Sequence, residues 1–291
     1  DNDGDLDVYS TNITDPTEIF GTTQYNTLLV NQLEETGTFV FADQAAARGV
    51  RDTYWGWGTE FVDVDHDADL DLYAVNGFDE FVTPFGSPLV DTPEVLFVND
   101  GTGHFARSGG TGADFVADAR AAIAFDYNLD GRQDLLVTNI LDPLVLLENR
   151  TPAGNWLSVE LVGLCGDNVN AVGGRIFVTS EGATQMREVI AGGSYLSGRP
   201  FEQHFGLGDA SVVDQLIAKF PDGSEFVRKN PPIVSRRVAI LHSTPNAPHR
   251  LIVSRTLKDF AVFQRCMGAG YDAGSECEPI DTDANQAGVI D

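Results

Sequence analysis

Along the first half of the chain, short apolar runs alternate with clusters of Asp, Asn and Gly, the pattern of brief strands joined by turns. Leu6-Asp7-Val8-Tyr9-Ser10-Thr11-Asn12 returns as Leu70-Asp71-Leu72-Tyr73-Ala74-Val75-Asn76, and again as Asp134-Leu135-Leu136-Val137-Thr138-Asn139. The aspartates that anchor these phrases, Asp7, Asp71 and Asp134, stand 64 and then 63 residues apart. A second phrase follows each copy: Asn26-Thr27-Leu28-Leu29-Val30-Asn31, Glu94-Val95-Leu96-Phe97-Val98-Asn99 and Leu144-Val145-Leu146-Leu147-Glu148-Asn149. Gly37-Thr38-Phe39 and Gly103-His104-Phe105 open a third apolar run in the first two copies. The pattern predicts an all-β repeat, with several short strands in each copy.

Period and strand length suit the blade of a β-propeller better than a helical solenoid. About three repeats are therefore expected over residues 1–154. From Asn155 the pattern changes. Apolar runs at 156–162, 175–179, 186–190, 215–220 and 237–241, with turn signals such as Gly173-Gly174 and Pro221-Asp222-Gly223, predict a second all-β domain over 155–242. The stretch 243–255, with Pro245 and Pro248, reads as a linker. Thr256 to Met267 carries helical spacing and predicts a short helical tail within 256–291.

The chemistry concentrates just before each first-phrase strand. The second copy reads Asp63-Val64-Asp65-His66-Asp67-Ala68-Asp69-Leu70-Asp71, with carboxylates at every odd position of the loop. The third supplies Asp126, Asn128, Asp130 and Asp134, with Arg132 in a position that offers only its backbone carbonyl. The first supplies Asp1, Asp3, Asp5 and Asp7. Two carboxylates ~4 Å apart repel by roughly 4 kcal/mol at an effective dielectric near 20, and a divalent ion removes that penalty. Hard oxygen donors in a flexible turn suit calcium, and suit magnesium less, because magnesium demands octahedral geometry and keeps its waters. The expectation is about three calcium ions, one per loop, with solvated acidic turns as the alternative.

Composition sharpens this picture. The chain has 44 acidic against 18 basic residues and a formal net charge of -26. Such a surface repels phosphate backbones and anionic lipid, so neither nucleic acid nor a membrane surface is an expected partner. With 42% hydrophobic residues, the 291-residue chain has enough apolar surface for about two packed domains. No apolar run is long enough for a membrane helix. Cys266 and Cys277 lie in a Gly-rich tail, either as a disulfide or as two separate thiols, and Cys165 stands alone.

The acidic loops, the Asp-Leu-Tyr-x-x-Asn strand, the Leu-x-x-Asn phrase and Trp57-Gly58-Thr59-Glu60-Phe61-Val62-Asp63 resemble the FG-GAP/VCBS repeats of integrin-alpha-like β-propellers. Asn155-Trp156-Leu157, Ala171-Val172-Gly173-Gly174-Arg175, Gly192-Gly193-Ser194-Tyr195-Leu196-Ser197, His204-Phe205-Gly206-Leu207-Gly208 and Pro221-Asp222-Gly223 resemble the ASPIC/UnbV domain of the cartilage acidic protein family and its bacterial relatives. That resemblance implies a partial propeller with further blades N-terminal to Asp1, then an ASPIC/UnbV domain. It also implies an extracellular, secreted or cell-surface protein of bacterial type. Leu257 to Cys266 resembles the helix of a dockerin or EF-hand-like module, and Asp283, Asn285 and Asp291 resemble the start of an EF-hand loop.

Enzyme signatures are few: there is no HExxH, GxSxG or Walker loop. Ser194 has no identifiable base, and His204 reads as a structural hydrogen-bonder. Gly101-Thr102-Gly103 reads as a hairpin turn, and Trp55 and Trp57 as packing aromatics. The expected function is a non-catalytic, calcium-stabilised binding module for a protein or polysaccharide. The competing class is a carbohydrate-active enzyme, a polysaccharide lyase or hydrolase on a similar scaffold.

Overall fold

A computed structural model describes residues 3–13, 24–77, 92–140, 142–163, 168–242, 249–254 and 288–290. They form two compact units, one of Asp1–Tyr127, Arg132–Pro152 and Gly192–Arg199, the other of Asn128–Gly131, Ala153–Ala191 and Pro200–Asp291. The architecture is all-β in class, as the apolar pattern predicts; the one helix among the described residues is a single turn, α1 (Leu33–Thr36).

The first unit holds three antiparallel sheets, one per sequence repeat. The first is β1 (Val8–Ser10), β2 (Thr27–Asn31) and β3 (Phe41–Asp43). The second is β4 (Gly56–Val62), β5 (Asp71–Asn76), β6 (Val95–Asn99) and β7 (Phe105–Ser108); the third is β8 (Ala119–Phe125), β9 (Asp134–Asn139) and β10 (Val145–Leu147). In each sheet neighbouring strands follow one another in the chain. The sequence supports this with hairpins such as the Gly101-Thr102-Gly103 turn between β6 and β7.

Side chains alternate across a strand, so a strand buried on both faces must be covered by two different neighbours. In β5 every residue is buried. Leu72 joins a core with Leu28 and Val30 of the first sheet and Phe97, while Tyr73 and Val75 join another with Ala122, Leu135 and Val137 of the third. The second sheet is therefore the middle layer of three, each packed face to face on the next.

The second unit has two sheets over one core. The first sheet runs β14 (Gln203–Gly208), β11 (Asn155–Val162), β17 (Arg236–Leu241), β18 (Arg250–Ser254) and β19 (Gly288–Ile290). The second runs β13 (Ala183–Glu188), β12 (Arg175–Ser180), β15 (Gln215–Lys219) and β16 (Glu225–Lys229). Leu157, Val159 and Leu161 of β11 face Ile176, Leu216 and Phe226 across that core. All pairs are antiparallel except β11 with β17, which run parallel.

Three expectations need correction. The linker over 243–255 contains β18, whose Leu251 and Val253 are buried in the second core, so that domain does not end at residue 242. Gly288–Ile290 pairs with Val253, Ile252 and Leu251 as a strand, which removes residues 288–290 from an EF-hand-like loop. Gly192–Arg199, inside the expected second domain, belongs to the first unit, and Asn128–Gly131, inside the expected first, belongs to the second. The helical tail, Cys165, Cys266 and Cys277 lie outside the described residues.

Candidate metal centre

The loop between β4 and β5 is the best-formed site. Asp63, Asp65 and Asp67 each offer a carboxylate oxygen, and these atoms lie within 4.8 Å of one another. The backbone folds to bring them together: His66 and Ala68 adopt left-handed conformations, with φ of 62° and 83°. The loop is pinned from inside, since the Ala68 amide donates to Asp63 Oδ2 at 3.1 Å and the Asp69 amide to Asp67 Oδ1 at 2.9 Å. Asp65 Oδ1 is buried without a hydrogen-bond partner among the described residues. A buried anionic oxygen lacking a donor costs free energy that a cation would remove. Burial raises the pKa of Asp67, and the nearby charges of Asp65 and Asp69 raise it further.

Asp71 has a different task. Its Oδ1 accepts the Asn99 amide at 2.8 Å and its Oδ2 the Val64 amide at 3.1 Å. Burial pushes its pKa up to about 7, helped by Asp65 and Asp63 and opposed by those two donors. Asp134 repeats the arrangement with the Asn149 and Tyr127 amides, at 2.7 and 3.1 Å. Asp7 accepts the Asn31 amide at 2.9 Å. The last aspartate of each loop thus ties the loop to the end of the strand beyond its own.

The other two loops are less complete. In the first, Asp3 and Asp5 come together with Glu35 of α1, all within 4.8 Å, and Glu35 lies outside the loop pattern. Asp1 lies outside the described residues. In the third, the Asn128 side-chain amide donates to Asp130 Oδ2 at 3.0 Å, and Arg132 Nε donates to the Asn149 carbonyl at 2.7 Å. Among the described residues, Asp126, Asp130 and Asp134 form no group of three carboxylates at that spacing. Asp283, Asn285 and Asp291 lie outside the described residues.

Several carboxyl groups outside the loop pattern are perturbed by burial. Glu94 is 1% exposed; its Oε2 accepts the Asn76 amide and its Oε1 has no hydrogen-bond partner among the described residues. Burial raises its pKa to about 9. Glu60 pairs with Arg199 at 3.1 Å, yet burial still lifts it to about 7. In the second unit, Arg237 pairs with Glu202 at 2.6 Å and the Ser158 hydroxyl donates to the same oxygen. Burial, aided by Glu202 and opposed by Arg237, raises neighbouring Glu160 to about 7. An acidic residue within an apolar strand, as Glu60 and Glu160, or just before one, as Glu94 and Glu202, is the only sequence signal for these groups.

The remaining candidates make contacts within the fold. Ser194 Oγ accepts the Ala122 amide at 3.1 Å. His204 stacks on Trp156 and bonds the Gly131 carbonyl at 2.9 Å. Trp57 packs against the core shared by the second and third sheets and donates through Nε1 to the Gly77 carbonyl at 2.7 Å.

Residues 165–246 match the family model described as ASPIC and UnbV, which spans β12 to β17. No curated protein matches the chain in sequence. Among solved structures, a crystal structure from Bacteroides uniformis ATCC 8492 described as a "putative cell adhesion protein" is 10% identical, covering 68% of this chain and 90% of that one. Its TM-score of 0.19 is too low to carry a functional argument. No helix among the described residues is long and apolar enough to cross a membrane.

Proposed function

We propose that the chain is a non-catalytic, calcium-stabilised binding module of the cell surface or extracellular space. In this reading its first unit is part of an FG-GAP/VCBS-type propeller, and the ligand is a protein or a polysaccharide. The observations that carry the cation are the convergence of one carboxylate oxygen each from Asp63, Asp65 and Asp67, and the burial of Asp65 Oδ1 without a hydrogen-bond partner among the described residues. Asp63, Asp65 and Asp67 hold the ion, and Asp71 shapes the loop from behind. Calcium supplies charge neutralisation and rigidity: at ten times its dissociation constant each occupied site adds about 1.4 kcal/mol of stability.

Thermal unfolding of the intact chain in EDTA, then in rising calcium with magnesium as control, tests this. A calcium-specific rise in Tm is expected; identical melting in all three overturns the cation.

A lyase or hydrolase remains the second reading, and Glu160 favours it, as a carboxyl that stays protonated to about 7 beside Glu202. A general acid at neutral pH needs such a shift. Turnover of acidic polysaccharides that is lost in Glu160→Gln, with melting unchanged, would reverse the order of the two readings.

A further inference from the structure

The three sheets of the first unit stack by one rule. In the second sheet Leu72 stands opposite Phe97 and, on the other face, Tyr73 opposite Leu96. The first sheet repeats both rows as Val8 with Leu29 and Tyr9 with Leu28. The third repeats them as Leu135 with Leu147 and Leu136 with Leu146. These are the same positions of the recurring phrases, counted forward from Asp71, Asp7 and Asp134 and back from Asn99, Asn31 and Asn149.

At both junctions the second row of one sheet covers the first row of the next. Leu28 packs with Leu72 and Phe97, where the Tyr9 and Phe61 rings meet edge to face at 6.4 Å. Tyr73 and Leu96 pack with Leu135 and Leu147. One row of each kind is left over. Val8 of the first sheet is 48% exposed, although its counterpart Leu72 is fully buried; Leu146 of the third is 46% exposed, although its counterpart Leu96 is buried. Leu29 and Leu136, opposite them, are partly exposed, and Ile123 extends the second row across the third sheet. The two open rows are thus the two halves of a junction that the fold makes twice within the chain. Apolar surface whose match lies elsewhere on the same molecule joins copies head to tail.

We propose that the first unit associates with a second copy of this chain, the Leu136–Leu146 row of one copy covering the Val8–Leu29 row of the other. This goes beyond the binding-module reading and needs neither its ligand nor its cation. Charge sets the conditions. Asp43, opposite Leu29, is the only charged residue of the two rows, and its Oδ1 is held to its own sheet by the Leu28 and Ala45 amides at 3.2 and 3.1 Å. The net charge of -26 makes whole copies repel, and salt screens that repulsion while the apolar contact persists.

Sedimentation equilibrium of the intact chain, from micromolar to millimolar concentration and from low to physiological salt, tests this. Self-association that strengthens with salt is expected. Val8→Glu and Leu146→Glu each bury a charge in the junction and should weaken association at least about a hundredfold. Both side chains are exposed in the single copy, so the variants should melt with the parent. Mixed in equal amounts, each variant keeps the row that the other has lost, and the mixture should form dimers and stop there. A parent that stays monomeric throughout overturns the proposal, whatever the variants do, and leaves the rows to sheets carried elsewhere on the same polypeptide. Association that weakens with salt, or that survives either substitution, also overturns it. So does a mixture that stays monomeric where the parent associates.

Discussion

Asp71 Oδ1 accepts the backbone N–H of Asn99 at 2.8 Å, and the two residues open and close phrases that recur together in the sequence. Asp7 with Asn31 and Asp134 with Asn149 make the same bond, at 2.9 and 2.7 Å. One repeated hydrogen bond thus explains why an aspartate and a distant asparagine recur as a pair. It ties the acidic loop to the end of the strand beyond its own.

Asp71→Ala leaves the Asn99 and Val64 amides without their acceptor inside the fold. An unsatisfied buried donor such as the Asn99 amide costs about 1–3 kcal/mol and the part-buried Val64 amide less, so a loss of about 2–4 kcal/mol is expected. Urea midpoints in EDTA measure this without a metal contribution. Asp71→Asn, which keeps one acceptor, should lose less; equal stability of Asp71→Ala and the parent contradicts the closure role.

Asp65→Asn should change sign with calcium. In EDTA the variant relieves carboxylate repulsion around Asp63 and Asp67 and should melt at or above the parent. In millimolar calcium it should melt below the parent, having lost a ligand. Parallel Tm curves for the two proteins at every calcium concentration would contradict the assignment.

Glu94 sets a pH dependence. Its pKa is raised from 4.5 to about 9 by burial, so the folded chain holds a proton that the unfolded chain has released. Stability from this group is therefore full below about pH 4.5 and is lost as pH rises toward 9. Glu94→Gln removes that proton and should flatten the alkaline fall, making the variant the more stable protein at pH 8. Denaturant titrations across the range decide it; equal slopes for both proteins contradict the assignment.

Gly58→Ala should destabilise the first unit, because its new Cβ meets backbone of β8 at Arg120 and Ala121 as well as Ser194. Overpacking of this kind costs about 1–3 kcal/mol. Adding Ser194→Ala should recover only part of the loss, since the backbone contacts remain. Full recovery in the double variant would show that Ser194 alone fills the space.

The repeats were legible because each sheet of the first unit pairs strands adjacent in sequence, so period and turn residues carry the topology. The loop Asp63–Asp71 was legible for the same reason, although the division of labour was not: spacing counts five carboxylates, and only the fold shows that Asp71 serves the backbone. Glu35, Glu60 and Glu94 were invisible because their surroundings come from segments elsewhere in the chain: Asp3 and Asp5 for Glu35, Arg199 for Glu60 and Asn76 for Glu94. In the second unit, β18 follows a Pro-rich stretch, and its place is fixed by pairing with β17 and burying Leu251 and Val253. The return of Gly192–Arg199 to the first unit has no local signature, since glycine-rich turns read alike wherever they dock.

The parallel pairing of Leu157 with Arg236 and of Leu161 with Ile240 has a kinetic consequence. The sheets of the first unit form through short-range hairpins, so they can acquire structure while the chain is still leaving the ribosome. In the second unit β11, which lies between β14 and β17, must wait for its β17 partner, made much later. Contacts of long sequence separation slow folding. A nascent chain halted before Arg236 would hold Leu157 and Leu161 without their β17 partners, which leaves that edge of β11 open to chaperone capture during synthesis.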